Sequence, residues 1–97
     1  MNNCLDDKIL FKALELWGGE LQLHVLIEEM AELTQAIIKR TRGNTHNIDE
    51  EIADVEIMLE QAKLYLRICD EVEKWKGYKM ARLGEKLKKI EDSGVLD

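Results

Sequence analysis

Apolar positions recur every three or four residues along most of this chain, and the alternation with polar ones that a half-buried strand requires does not set its pattern. Leu5, Ile9, Ala13 and Leu16 or Trp17 sit at helical spacing and predict a first helix over about Leu5 to Leu16, ended by Gly18-Gly19. A second helix begins near Glu20, carries Leu23, Leu26, Met30, Leu33 and Ile37 on one face, and stops at Gly43. Beyond a short polar loop, Asn44-Thr45-His46, Asn47 is placed as an N-cap, with Glu50 to complete a capping box and Ile48 to open the apolar stripe. The third helix continues through Ile52, Val55, Leu59, Ala62 and Leu66. Asp70 with Glu73 reads as another cap, starting a fourth helix through Val72, Trp75, Met80, Leu83 and Leu87 towards Ile90. Gly77 and Gly84 weaken that helix, and the residues after Asp92 are expected to fray. With no proline and an abundance of Leu, Ile, Glu, Lys and Ala, the fold class is all-α, a single four-helix domain.

Within this pattern one surface is repeated. The second helix contains EEMAEL from Glu28 and the third EEIADV from Glu50, so Glu29 corresponds to Glu51, Glu32 to Asp54 and Leu33 to Val55. At about 100° per residue, Glu29 points only roughly 40° from Leu33, and Glu51 the same from Val55. Each carboxylate therefore lies along an apolar stripe. Glu32 and Asp54 follow on the same flank, while Glu28 and Glu50 lie further towards solvent. Antiparallel packing of the two helices brings four carboxylates together, and neither block supplies a lysine or arginine four residues on. A hard divalent cation relieves that repulsion, and Mg²⁺ is the usual choice where carboxylates share the ion with phosphates.

Composition narrows the rest. Ninety-seven residues are close to the lower end of what builds a core alone, so self-association is expected. A net charge of −6 argues against a protein that holds a nucleic-acid polymer, which needs a basic face. There is no apolar run of the roughly 20 residues that cross a membrane, and MNNCLDDK lacks the basic-then-apolar pattern of a signal peptide. A cytoplasmic location is the expectation. Cys4 and Cys69, far apart and without a Cys-x-x-Cys or paired histidines, read as reduced thiols. His24 reads as a surface histidine, and Met30, Met58 and Met80 as core fillers.

The EExxE block, the ExxD block 18 residues after it, and the downstream Lys-x-x-Arg-Leu resemble the signature of the MazG-like nucleoside triphosphate pyrophosphohydrolases. The resemblance runs from Trp17-Gly18 and Gln22 through EEMAELTQAIIKR and DEEIADVEIMLEQ to KMARL. It implies an all-α bundle that assembles as a homodimer or homotetramer and hydrolyses nucleoside triphosphates to the monophosphate and pyrophosphate with Mg²⁺, for which Mn²⁺ is a possible substitute. Phosphoribosyl-ATP pyrophosphohydrolases share the architecture but tend to carry a Tyr-His pair after the aspartate, where this chain has Val55-Glu56-Ile57-Met58.

Carried over residue by residue, the resemblance makes Glu29, Glu32, Glu51 and Asp54 the metal ligands, the four that the helical geometry also selects. Glu28 and Glu29 become the catalytic carboxylates, with Glu28 a further ligand, the base that deprotonates water, or a solvated flank residue. Lys39, Lys79 and Arg82 are the candidate partners of the phosphates, against the plain alternatives of a helix C-terminal cation and a solvated basic face. Trp17 and Gln22 stand where relatives shape the base pocket, although a tryptophan at a helix end is ordinarily a packed anchor. Trp75 and Tyr78 are weaker candidates. The competing reading from another class is a non-catalytic helical dimer or adaptor with an acidic face. A ferritin-like di-iron site needs Glu-x-x-His pairs, and the sequence has none.

Overall fold

The structure is a computed structural model that describes residues 7–43 and 47–94. Among the described residues there are four α-helices and no strand: α1 (Asp7–Trp17), α2 (Gly19–Thr41), α3 (Ile48–Leu66) and α4 (Cys69–Asp92). Leu5, Cys4 and the loop Asn44-Thr45-His46 lie outside the described residues. The chain divides into two units, Met1–Arg67 and Ile68–Asp97, the first holding α1 to α3 and the second α4.

In the first unit α2 and α3 form the main pair. Glu20 meets Tyr65 near one end, and Glu29 meets Glu51 and Asp54 in the middle. Residue numbers thus rise along one helix as they fall along the other, which makes the pair antiparallel. Helix α1 lies against both. The break between α1 and α2 falls on Gly18 alone, whose φ of 84° is open to glycine at little cost. Gly19 already belongs to α2, and its missing side chain has a use: a Cβ there overlaps the ring of Tyr65. That ring lies close against the α2 backbone at Gly19 and its hydroxyl donates a 2.8 Å hydrogen bond to Glu20 Oε2. Gly43, at φ 88°, follows α2 as its sequence position suggests.

The described core is small. Leu10, Leu26, Ala36 and Val55 are the buried apolar residues, and Gln61 is buried with them at 2% exposure. Gln61 Nε2 donates to the Leu10 carbonyl at 3.2 Å and so ties α3 to α1, while its Oε1 has no partner. Replacing it with glutamate aims a carboxylate at that carbonyl. Gln61→Glu is therefore expected to lower unfolding free energy at neutral pH by at least ~2 kcal/mol in a urea titration, whereas Gln61→Leu should cost no more than about 1 kcal/mol.

Several sequence expectations need correction here. Asn47 does precede α3, but its side chain makes no cap hydrogen bond; instead Asn47 Nδ2 donates to Glu50 Oε1 at 3.3 Å and the Glu50 N–H bonds Asp49 Oδ1 at 2.9 Å. Asp70 is not a cap. Arg67 ends α3 in the left-handed region at φ 58°, which turns the chain so soon that Ile68 becomes the flanking residue and Asp70 falls in the first turn of α4. Met30 and Met80 are exposed, as are Leu16 and Trp17, so Trp17 is not a packed anchor. Met58 is half-buried, and His24 is exposed as expected.

In the second unit, α4 buries none of its residues. Trp75 and Tyr78 meet edge to face at 5.9 Å, with Lys79 over the first ring and Arg82 over the second, each at 5.7 Å. Lys76 pairs with Glu73 at 3.4 Å, the ordinary i,i+3 pairing of a solvated face. No helix among the described residues is long and apolar enough to cross a membrane.

Candidate metal centre

The antiparallel pair places Glu29 of α2 beside Glu51 and Asp54 of α3, and one carboxylate oxygen from each lies within 4.8 Å of the others. All three are half-buried. None makes an ion pair among the described residues. The local reason is the one in the sequence: Glu29 sits one turn from half-buried Leu33, and Glu51 one turn from buried Val55, so packing of the stripes carries the acids inward.

The electrostatics follow from that placement. Partial burial, then the charges of Glu32, Asp54, Glu51 and Glu28, hold the Glu29 carboxyl above the ordinary glutamate value of 4.5. Partial burial also raises Glu51, followed by Glu32, Asp54 and Glu50 and by a side-chain hydrogen bond with Asp54. Every one of these causes disfavours the charged form. Both groups bind protons more tightly folded than unfolded, so their contribution to stability is full below pH 4.5 and is lost as pH rises through the raised folded values. In chelator, a variant carrying Glu29→Gln and Glu51→Gln is therefore expected to gain stability over the wild type from pH 4.5 towards pH 7, read from thermal midpoints across that range. A difference that shrinks with rising pH contradicts the cluster's repulsion.

Glu32 stands differently from its counterpart Asp54. It is exposed and outside the three, yet its charge acts on both Glu29 and Glu51. The expected four-carboxylate cluster is thus three with a fourth alongside. Glu32 also lines an open groove of about 410 Å³ with Gln35, Ala36, Lys39, Asn47 and Glu51. Lys39, two turns beyond Glu32, is the candidate cation that the structure brings to this acidic groove. Gln35 and Asn47 were not singled out by sequence as groove residues; the i+3 spacing from Glu32 to Gln35 was the available signal.

The remaining candidates are not among the three carboxylates. Glu28 is exposed, and its charge is the smallest of those acting on Glu29. Gln22 is half-buried in the first turn of α2, and Trp17 lines a separate apolar groove on α1. Lys79 and Arg82 belong to α4, where they line a groove with Leu83 and Lys86.

The donor set fits a hard divalent cation. Three carboxylates supply oxygen ligands of the kind Mg²⁺ and Mn²⁺ take, with coordination positions left for water and phosphate oxygens, and among the described residues no sulfur or imidazole joins the three to favour zinc. Compared with known proteins, the chain matches no protein-family model, no curated protein and no solved structure.

Proposed function

We propose that Glu29, Glu51 and Asp54 hold a divalent cation, Mg²⁺ by preference and Mn²⁺ as substitute, and that the chain is a nucleoside triphosphate pyrophosphohydrolase releasing the monophosphate and pyrophosphate. The observation that carries this reading is the convergence of three half-buried carboxylates from two helices with no ion-pair partner among the described residues. The signature formed by EEMAEL and EEIADV, with its resemblance to the MazG-like enzymes, supplies the substrate class.

A cation held by Glu29, Glu51 and Asp54 would supply positive charge to offset the phosphates and to make a water more acidic. The chain's own residues have defined tasks around it. Glu29, Glu51 and Asp54 fix the ion, and Glu32 adds negative charge beside them without joining the three. Glu28, exposed one position before Glu29, is the free carboxylate suited to accept a proton from water. Lys39 offers a cation to the triphosphate along the groove it shares with Glu32 and Glu51.

Such an enzyme acts in the cytoplasm on free nucleotides and assembles as a homodimer or homotetramer, an arrangement that the small described core favours. A panel of nucleoside triphosphates incubated with Mg²⁺ tests the proposal. Paired release of monophosphate and pyrophosphate is expected, and phosphate release from the γ position, or no turnover of any member, overturns it.

A further inference from the structure

A second groove, of about 560 Å³, runs along the outward face of α1 and is lined by Ile9, Lys12, Ala13, Glu15, Leu16 and Trp17. All six come from one helix, so the groove is a helix face with bulky residues at both ends and a dip over the small Ala13. Ile9, Leu16 and Trp17 are 65%, 72% and 56% exposed, while Leu10, one position round from Ile9, is buried. Helix α1 therefore has two apolar faces, and among the described residues of its own unit only one is used.

We propose that the outward face is an isologous contact with a second copy of this chain, α1 packing antiparallel on α1 about a two-fold axis near Ala13. The face is its own complement. Reversed along the helix, Ile9 comes level with Leu16 and Trp17, and the two copies of Ala13 let the backbones approach. At about 100° per residue, Lys12 and Glu15 fall on one flank of this stripe and Ala13 and Trp17 on the other. A two-fold axis turns each flank towards its own copy, so Lys12 of either chain faces Glu15 of the other and the contact closes with two opposite-charge pairs. Neither residue makes an ion pair among the described residues. A rim carrying one charge of each sign does not suit a polyanion or an anionic membrane, which calls for a basic rim. This inference concerns α1 alone and stands apart from the cation reading.

Charge reversal tests it, read by sedimentation velocity with circular dichroism as the check on folding. The wild type is expected to dimerise at micromolar concentration. Lys12→Glu alone, or Glu15→Lys alone, sets like charges opposite each other in both halves of the contact and should raise the dissociation constant roughly tenfold or more. An equimolar mixture of the two variants restores opposite charges throughout and should dimerise as the wild type does, as should the chain carrying both changes. A wild type that stays monomeric, single variants that dimerise normally, or a mixture that behaves as the average of its components overturns the proposal.

Discussion

Asp54→Asn is expected to lower Mg²⁺-dependent pyrophosphate release at least about a hundredfold, because it removes a charged ligand from an ion whose effect on phosphate chemistry amounts to several kcal/mol. The same change should raise the thermal midpoint of the metal-free protein, by roughly 1–4 °C, since it relieves repulsion among acids lying within 4.8 Å of one another. Activity and stability thus move in opposite directions. An ordinary surface acid on the same helix gives the contrast: Glu56 is exposed and outside the cluster, so Glu56→Gln should leave both quantities nearly unchanged. Glu32→Gln is intermediate, costing about tenfold in rate, the scale of a group that supports ligands without being one. Equal losses for Glu32 and Asp54 restore the four-ligand arrangement that the sequence repeat suggests.

Gly19→Ala is expected to destabilise the fold, against the usual sign of this substitution in a helix. In an open helix this substitution stabilises by about 1 kcal/mol, through reduced freedom of the unfolded chain. Here the added methyl overlaps the Tyr65 ring, which must swing away and give up its hydrogen bond to Glu20. The net outcome should be a loss of about 1–3 kcal/mol. The sign should reverse once the obstacle is gone: in a Tyr65→Ala background, Gly19→Ala is expected to stabilise by about 0.5–1 kcal/mol. Denaturant titrations of the four proteins measure this coupling, and additive effects of the two changes contradict the close approach of ring and backbone.

The sequence made the α2–α3 pair legible because glycine punctuation, apolar spacing and the repeated acids all agreed. Gly18 and Gly43 mark boundaries that the structure keeps, and Glu29 and Glu51 lie along the apolar stripes as their distance from Leu33 and Val55 requires. Periodicity says which residues share a stripe, but not whether anything covers it. That is why Met30, Met80 and Trp17 read as core or anchor and prove exposed. It is also why the two faces of α1 could not be told apart from Leu5, Ile9, Ala13 and Leu16. Local chemistry misled at Asp70, where a residue suited to capping lies one turn too late once Arg67 adopts the left-handed conformation. Glu32, the fourth acid of the repeat, lies outside the three whose oxygens fall within 4.8 Å but is the foremost of the charges acting on Glu29 and Glu51. The Tyr65–Glu20 bond and the burial of Gln61 join residues far apart in the chain, and no spacing rule reaches them.

The proposed cation site joins three carboxylates from neighbouring helices. Isothermal titration of Mn²⁺ into the protein, repeated with Asp54→Asn and at two pH values, tests it most directly. Saturable uptake by the wild type is expected, weakened by acid as protons compete for Glu29 and Glu51, and lost in the variant. Uptake that survives Asp54→Asn unchanged, or no uptake by the wild type with or without nucleoside triphosphate, contradicts it.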